Sequence, residues 1–512
     1  MERLQQDVSL LIESGLQNVK SKLSIVPGSS IVLRYISSSY QNDPIRSVFE
    51  LFLLLFAIRY FLASKYSYSK KNYVQLTEAE IDELVDEWEP EPLVKPLAGS
   101  ERWELETIPV FEKCNGPVVK LANGSDKELL NFSTPDVYNV SHDEAIREGA
   151  IEQIRAYGVG SCGPAGFYGN QDTHGKCEQK IAEFLGTEGC ILYAQGFATI
   201  SSVIPCFMKR GDVIIADNKV NVAIQKGMLL SRASLYWYEH NDMEDLEQVM
   251  IMANKSHRRG PLPRRFIITE GLYENPGDSP DLETIIKLKN KYKYRLVLDE
   301  SWSLGVLGKT GRGLPEELSL PRSEVEITMG CLTNAFGAAG GFCAGRKPMV
   351  EHQRITSLAY TFSATMPTYL ARTTITSIAN FSDEAYRKAN FDPLAQKARA
   401  FNEIVSKSKA ITVTSRPDSP FVLLRINLDI LDRLEESGVL KTVSEERLLQ
   451  NIVEKMRDSG FLVARQKKLA QHEMFPIDHS IKVSINNGLT LAQVTEGAKA
   501  LSLAFEDEVK GL

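Results

Sequence analysis

Between residues 139 and 380, short apolar runs alternate with amphipathic helical stretches, and this pattern constrains the fold more than any other feature of the chain. Strands that alternate with helices in this way are typical of an α/β domain with a mainly parallel sheet. After Pro393, the runs at Val422 and Ile481 alternate apolar and polar residues, which predicts a smaller α+β domain with antiparallel strands. The buried strands predicted in the first region are Cys190–Tyr193, Val213–Ala216, Phe266–Thr269, Leu296–Leu298 and Glu326–Met329.

Composition and charge narrow the class of protein. The chain has 512 residues, of which 43% are hydrophobic and 24% charged, and its net charge is −7. This composition is globular, and the acidic balance argues against nucleic-acid binding. The seven cysteines form no C-x-x-C pair, so neither a structural zinc site nor a disulfide framework is expected, and a reducing compartment is favoured. His174 and Glu178 share one predicted helix face, but two ligands alone do not make a metal site.

Residues 47–66, SVFELFLLLFAIRYFLASKY, form the most apolar stretch of the chain. A helix of about 20 residues spans about 30 Å, so the stretch predicts a single membrane-spanning helix. A buried amphipathic helix is the alternative, because Glu50 and Arg59 stand at the ends of the uninterrupted apolar part. The lysines at positions 65, 70 and 71 favour a cytosolic location for the long C-terminal part.

We divide the chain into five segments by these patterns. They are an N-terminal arm (1–46), the membrane segment (47–66), an acidic helix with a linker (67–138), a large α/β domain (139–392) and a small C-terminal domain (393–512). The acidic helix begins with a capping box at Thr77 and Glu80. Only acidic charges lie between Glu78 and Glu91. A solvated acidic face is the expected role of such a run, and a docking surface is the less favoured one.

Four local stretches carry the residues from which chemistry can be inferred. Residues 157–169, YGVGSCGPAGFYG, are dense in glycine, which lets a backbone approach a ligand closely. Residues 269–273, TEGLY, end a predicted strand. Asp299 ends another strand in LVLDESW, and an acid at that end points into the crevice where α/β sheets bind ligands. The fourth stretch is residues 330–341, GCLTNAFGAAGG, which contains Asn334.

In this order and spacing, the four stretches resemble the α-oxoamine synthases, which are enzymes that depend on pyridoxal phosphate (PLP). The resemblance extends from about Trp88 to the C-terminus. It implies the PLP-transferase architecture of aminotransferase fold type I, and the condensation of an amino acid with an acyl-CoA. In such enzymes PLP acts as the electron sink, and the protein orients it.

The resemblance also assigns roles to single positions. Asp299 matches the acid that pairs with the pyridinium nitrogen of PLP. Trp302 and Asn221 stand where two histidines contact the cofactor, and Asn334 stands where a lysine forms the imine. Lys482 replaces an arginine that grips the substrate carboxylate, and it cannot form the same bidentate fork. Because an amide cannot form an imine, we predict no catalytic residue and no covalently bound cofactor in this chain, with Asp299 vestigial.

This set of losses resembles the lysine-less subunit of the heteromeric, sphingolipid-making members of the family. The resemblance implies a homologous partner that carries the lysine and PLP, and joint condensation of L-serine with palmitoyl-CoA to 3-ketosphinganine. It further implies a small activating subunit, Orm-type regulators and the endoplasmic reticulum membrane. The chain would cross that membrane once, with its catalytic-like domain in the cytosol.

Family dimers build each active site partly from the neighbouring subunit, and this implies a role for the retained stretches. Ser363, in YTFSATMP (360–367), is similar in position to a residue whose hydroxyl reaches the PLP phosphate of the other subunit. The glycine-rich loop would face the partner's site. A packed small residue is the alternative for the cysteine of that loop, and a helix cap is the alternative for Ser363. The predicted wall residues of the loop are Tyr157, Cys162, Gly163, Phe167 and Tyr168.

Two other functions stay open. The chain could be a regulatory membrane scaffold that does not shape the active site. It could also be a self-sufficient α-oxoamine synthase with a displaced lysine, although Asn334 argues against that. Nothing in the sequence indicates the acyl-chain length.

Overall fold

The computed structural model describes residues 44–62, 76–94, 96–99, 101–122, 127–257, 261–441, 443–476 and 478–510, with the single residues Ile31, Arg34 and Ser38. Most of the predicted N-terminal arm and the end of the predicted membrane segment (63–66) lie outside the described residues. The chain divides into two compact units, residues 1–103 and 104–512. The segment boundaries predicted above stay predictions.

The first unit contains two helices among its described residues, α1 (Pro44–Leu62) and α2 (Glu78–Glu87). The large apolar side chains of α1 between Leu51 and Ile58 are exposed. Within the described ranges, no helix combines the length and the apolar character that crossing a membrane requires, so the predicted span is not found there. Helix α2 begins with the predicted capping box, in which the Thr77 backbone N–H donates to the Glu80 carboxylate at 2.7 Å.

The second unit is built around a seven-stranded sheet with the order β4-β10-β9-β8-β7-β5-β6. Its neighbours are parallel except for β10, which runs antiparallel to both β4 and β9. All five predicted strands are present, and the predicted mainly parallel α/β architecture is confirmed. The strands are β4 (Gly189–Tyr193), β5 (Val213–Asp217), β6 (Ser234–Tyr238), β7 (Arg265–Glu270), β8 (Arg295–Asp299), β9 (Ile327–Cys331) and β10 (Gly341–Gly345).

Helices cover both faces of this sheet. Successive side chains of a strand point to opposite faces, and Ile214 and Ile215 accordingly belong to two different hydrophobic clusters. Both faces are therefore packed, which explains why consecutive residues in the middle of these strands are apolar. The helices between residues 103 and 405 are α3 (Trp103–Glu106), α4 (Glu144–Tyr157), α5 (Asp172–Leu185), α6 (Gly196–Phe207), α7 (Val222–Ser231), α8 (Met243–Ser256), α9 (Leu282–Tyr292), α10 (Leu314–Glu317), α11 (Lys347–Thr356), α12 (Leu358–Phe362), α13 (Thr368–Ser382) and α14 (Glu384–Val405).

Two smaller four-stranded sheets complete the unit. The first has the order β1-β2-β3-β13 and joins residues 111–131 to residues 461–462, a pairing that the sequence analysis did not predict. The second, β11-β12-β15-β14, is antiparallel, as predicted for the C-terminal part. The last helix of the unit begins with a cap at Thr490, whose Oγ1 accepts from the Gln493 N–H at 3.2 Å.

The bounds of these elements follow in chain order. The strands are β1 (Phe111–Asn115), β2 (Val118–Leu121), β3 (Leu129–Asn131), β11 (Ile411–Val413), β12 (Phe421–Ile426), β13 (Phe461–Leu462), β14 (Ala464–Arg465) and β15 (Ile481–Ser484). The helices are α15 (Leu428–Glu436), α16 (Glu445–Asp458) and α17 (Leu491–Lys510). The elements from β11 onward follow α14 in the chain, whereas β1, β2 and β3 precede the large sheet.

Candidate functional site

Three buried carboxylates lie at the carboxyl ends of neighbouring strands: Asp217 on β5, Glu270 on β7 and Asp299 on β8. Because β7 pairs in parallel with both β5 and β8, these ends lie side by side. Burial, together with the charge of Asp299, raises the pKa of Glu270. Asp299 thus lies where it was predicted, at the edge of the sheet where α/β proteins bind ligands.

Asp299 receives hydrogen bonds from its own chain on both carboxylate oxygens. Oδ1 accepts from the backbone N–H of Ser301 at 2.9 Å and from its hydroxyl at 2.5 Å. Oδ2 accepts from the side-chain amide of Asn221 at 2.9 Å. Burial raises the pKa of Asp299 to about 6, although these hydrogen bonds act to lower it. The carboxylate therefore has its polar partners within the fold.

Asn221 and Asn334 connect to the same short stretch of chain. Asn221 is the N-cap of α7, where its side-chain oxygen accepts from the Ile224 N–H at 3.1 Å. Asn334 is buried on the loop between β9 and β10, and its amide donates to the backbone oxygen of Ser301 at 2.7 Å. Asn221 thus bonds to Asp299 and Asn334 bonds to Ser301, and Asp299 and Ser301 bond to each other, so the structure brings these positions together.

Trp302 contacts one side chain from β12 and one from β15. Its ring meets Phe421 edge to face, with 4.8 Å between ring centroids. The Nζ atom of Lys482 lies 3.2 Å from the centroid of the Trp302 ring, which is a cation–π contact. Burial lowers the pKa of Lys482 to about 8, while the charges of Glu274 and Glu270 act to raise it. Lys482 therefore packs on Trp302. We call Asn221, Asp299, Ser301, Trp302 and Asn334 the cofactor position.

The cofactor position does not fit PLP held as an imine. The Asn334 amide has no nucleophilic lone pair, and it is already bound to Ser301. Both carboxylate oxygens of Asp299 already accept hydrogen bonds from Ser301 and Asn221. No catalytic step through PLP follows from these residues.

The glycine-rich loop and the stretch around Ser363 form one continuous surface. The Thr365 N–H donates to the Gly163 oxygen at 2.9 Å, and the Ser161 hydroxyl donates to the Thr365 oxygen at 2.6 Å. Pro164 and Ala364 add an antiparallel bridge. We call residues 160–169 and 359–367 the wall.

A cavity of about 430 Å³ opens along the wall, beside the start of α6. Cys162 and Ser363, which sequence reasoning singled out separately, both line it. Cys162 has a φ of 57°, in the left-handed region, and is exposed. Ser363 follows α12 directly and is also exposed. The structure thus brings these two predicted residues to one cavity.

The other predicted wall residues lie around the cavity and do not line it. The Tyr157 hydroxyl donates to the Asp172 carboxylate and so joins the end of α4 to the start of α5. Phe167 and Tyr168 are 67% and 75% exposed. Exposed aromatic side chains grouped in this way mark an interaction surface.

Two glycines of the wall have no room for a side chain. A Cβ on Gly163 would lie 2.3 Å from the ring of Tyr168. A Cβ on Gly169 would lie 1.9 Å from the backbone oxygen of Gly163. The dense glycines therefore permit close backbone packing within the loop.

His174 and Glu178 share a helix, but they have different partners. His174 Nε2 lies 2.7 Å from the Met366 oxygen, whereas Glu178 forms an ion pair with Arg354 at 2.6 Å. In the part of the chain that the structure describes, no three His, Cys, Asp or Glu side chains form a group that could hold a metal ion. Sequence reasoning missed the pair with Arg354, because its two members are 176 residues apart and neither belongs to a motif.

Comparisons with known proteins agree with this architecture. The family model for aminotransferase class I and II matches residues 127–501. Serine palmitoyltransferase 1 of Saccharomyces cerevisiae is 35% identical over 520 residues, which cover 94% of this chain and 92% of that protein. Long chain base biosynthesis protein 1 of Arabidopsis thaliana is 36% identical over 460 residues, which cover 90% of this chain and 92% of that protein.

A solved structure supports the fold. The serine palmitoyltransferase of S. paucimobilis with a bound PLP–myriocin aldimine matches with a TM-score of 0.68 at 21% identity, covering 85% of this chain and 97% of that one. The predicted PLP-transferase fold is confirmed by this likeness and by the family match. The chain belongs to the aminotransferase class I and II family and, within it, to the group of serine palmitoyltransferase 1 and long chain base biosynthesis protein 1.

Proposed function

We propose that this chain is the non-catalytic subunit of a serine palmitoyltransferase and that it works only in a pair. The named relatives support an acyltransferase of sphingolipid long-chain-base synthesis. The observation that carries the non-catalytic role is Asn334, whose amide stands at the lysine position and donates to the Ser301 oxygen at 2.7 Å. A residue that cannot form the imine leaves the covalent chemistry to another chain.

The partner in this proposal is the homologous subunit 2, which carries the lysine and PLP. Together the two chains condense L-serine with palmitoyl-CoA to 3-ketosphinganine. A small activating subunit and Orm-type regulators join the complex. Support for a pair comes from the exposed side chains around the wall, of which Phe167, Tyr168 and Phe362 are each at least 67% exposed.

The wall is the part of this chain that completes the partner's active site. Ser363 donates its hydroxyl to the phosphate of the partner's PLP, and Cys162 shapes the same cavity. Support for this assignment is that both residues line one cavity and that both are exposed. A hydroxyl that holds a phosphate orients the bound molecule without taking part in bond changes.

The test compares the chain alone with the purified pair. Each sample receives PLP, and both the visible absorbance of protein-bound PLP and the condensation of L-serine with palmitoyl-CoA are recorded. We expect neither signal from the chain alone and both from the pair. Ser363→Ala in the pair should weaken PLP retention and turnover, whereas the same change at Ser256, an exposed residue that ends α8, should leave both unchanged.

Two outcomes would contradict the proposal. Turnover by the chain alone would favour a self-sufficient synthase. Unchanged kinetics after substitutions at both Cys162 and Ser363 would favour a scaffold that does not shape the site.

The location in this proposal is the endoplasmic reticulum membrane, with the second unit in the cytosol. Support comes from the exposed apolar side chains of α1 and from the lipid nature of the substrate. We expect the full chain to stay with microsomes after a carbonate wash, and a chain without residues 44–62 to be released. Release of the full chain would contradict this location.

A further inference from the structure

An ion pair between Arg354 on α11 and Glu178 on α5 lies behind the wall. The Arg354 Nη2 atom lies 2.6 Å from Glu178 Oε2, and Nη1 lies 3.3 Å from Oε1. This two-pronged contact fixes the orientation of both side chains, which a single contact would not do. Only 14% of the Glu178 side chain and 34% of the Arg354 side chain are exposed.

The ion pair of Arg354 and Glu178 is connected to both halves of the wall through the hydroxyl of Tyr360. Arg354 Nη1 donates to the buried Tyr360 hydroxyl at 2.8 Å, and the side-chain amide of Asn170 donates to the same oxygen at 3.0 Å. Asn170 directly follows the loop half of the wall, and Tyr360 lies in its other half, three residues before Ser363. One phenolic oxygen thus receives a hydrogen bond from each side.

Glu178 also connects the pair to the central sheet. Its Oε1 atom accepts from the Leu192 N–H on β4 at 3.1 Å. The next residue, Tyr193, lines the cavity, and its hydroxyl donates to the fully buried Gln353 on α11 at 2.9 Å. Charged and polar contacts therefore connect the wall to β4 and α11.

The charge state of Arg354 suits this role. Burial lowers the pKa of Arg354, but the Glu178 carboxylate and the Tyr360 hydroxyl outweigh burial and raise it overall. The guanidinium keeps its charge, so the geometry of the fork does not change with pH in the ordinary range. Arginine suits this arrangement better than lysine, because its donors have a fixed planar arrangement.

We propose that Arg354, Glu178 and Tyr360 are positioning residues for the reaction of the complex: they hold the two halves of the wall in register and thereby place Ser363 at the partner's site. The inference rests on the proposed function, because the wall matters for turnover only if it faces a partner. None of the three residues lines the cavity, so their effect passes through the wall.

The test uses the purified pair with Arg354→Lys and, separately, Tyr360→Phe. Arg354→Lys keeps the charge and removes the fork, and Tyr360→Phe keeps the ring and removes the shared oxygen. A misplacement of about 1 Å can lower catalytic efficiency about a hundredfold, so we expect kcat/KM to fall tenfold to a hundredfold for Arg354→Lys. Tyr360→Phe should cost about fivefold, the factor that corresponds to one ordinary hydrogen bond. Both variants should also release PLP from the pair faster than the unmodified pair does.

The matched control is Arg264→Lys. Arg264 forms the same kind of fork with Asp212, at 3.1 and 2.7 Å, but far along the sequence from the wall, just before β7. We expect this variant to lose stability without a change in kcat/KM or PLP release per assembled pair. A purely structural role of Arg354 would give the same pattern, with a lower unfolding midpoint and unchanged kinetics, and that result would overturn the inference.

The failure of this inference can be told apart from the failure of the proposed function. If Ser363→Ala changes PLP retention while Arg354→Lys and Tyr360→Phe do not, the wall serves the partner's site and the positioning role is wrong. If the pair never depends on Ser363 or Cys162, the proposed function itself is wrong. If Arg354→Lys prevents the two subunits from assembling, the kinetics and PLP release of Tyr360→Phe alone test the inference, because this variant removes a single oxygen atom.

Discussion

The cofactor position and the wall belong to the same unit, yet they differ in how their polar groups find partners. At the cofactor position, Asp299 and Asn334 are buried. Asp299 accepts hydrogen bonds from Ser301 and Asn221, and Asn334 donates to the Ser301 oxygen. In the wall, Ser363 is exposed beside an open cavity. The comparison teaches that one unit can satisfy the polar groups of one site internally and still leave a polar group of a neighbouring surface open to solvent.

The largest effect is expected from Gly169→Ala, which tests whether the wall depends on close backbone packing. The new Cβ would lie 1.9 Å from the Gly163 oxygen, so the loop must move. We expect a loss of more than about 3 kcal/mol in the free energy of unfolding. We also expect about a hundredfold loss of turnover in the pair. Urea unfolding and steady-state kinetics measure the two.

The control for this change is Gly175→Ala in α5, where a Cβ would meet nothing within 4 Å. Alanine is the better helix former, so this variant should gain up to about 1 kcal/mol. Equal effects of the two substitutions would mean that the wall has no special packing requirement.

An intermediate effect is expected from Asp299→Asn, which tests the burial of charge at the cofactor position. Burial raises the pKa of Asp299 to about 6, above its ordinary value of 3.8. Between about pH 4 and pH 6 the folded chain therefore holds a proton that the unfolded chain has lost, and stability falls as pH rises through this window. The unmodified chain should lose up to about 3 kcal/mol relative to Asp299→Asn across the window. Urea unfolding at pH 4.5 and 7.5 measures this difference.

Asp418→Asn is the control, because the carboxylate that it removes should change the stability with pH in the opposite direction. Burial raises the pKa of Asp418, but Arg416 outweighs it and lowers the pKa overall. The stabilisation by Asp418 is therefore present near neutral pH and is lost as pH falls. If both variants changed with pH in the same direction, the contrast between a buried carboxylate and a paired one would be wrong.

The smallest effect is expected from Asn334→Lys, which restores the residue type that the chemistry needs. The new amine would be surrounded by residues that already interact with one another. Asn221 donates a hydrogen bond to Asp299, and Lys482 forms a cation–π contact with Trp302. We expect no turnover from the variant alone and no PLP adduct at position 334 in the protein mass after borohydride reduction. The lysine-bearing partner, treated in the same way, is the positive control. An adduct at position 334 would mean that Asn334 alone prevents covalent binding of PLP by the unmodified chain.

Much of the fold could be predicted from the sequence, because the five predicted strands have apolar centres and each of them follows a helix. The antiparallel strands at Val422 and Ile481 were predicted from their local alternation of apolar and polar residues. The sheet that joins residues 111–131 to residues 461–462 was missed, because its strands have two to five residues and pair over a long separation. Periodicity is a weak signal in strands so short.

The candidate site was predicted only in part. Asp299, Asn221 and Asn334 were grouped through a family pattern, and the structure places them together. The hydrogen bonds through Ser301, and the use of Asn221 both as a helix cap and as the partner of Asp299, depend on tertiary contacts. Likewise the pair of Glu178 with Arg354 has no local signature, because only the packing of α5 against its neighbours brings the two together.

The hydrogen bonds that Asp299 makes within its own chain have a consequence for the amount of folded chain at different cofactor concentrations. A protein that binds a ligand only when folded gains stability as the concentration of that ligand rises. Here the partners of Asp299 are Ser301 and Asn221 of the folded chain itself, so under the proposed function we expect the folded fraction of this chain to be independent of the cofactor concentration. The chain would then accumulate in the folded state when the cofactor is scarce, and the loading of the proposed partner would limit the amount of active complex.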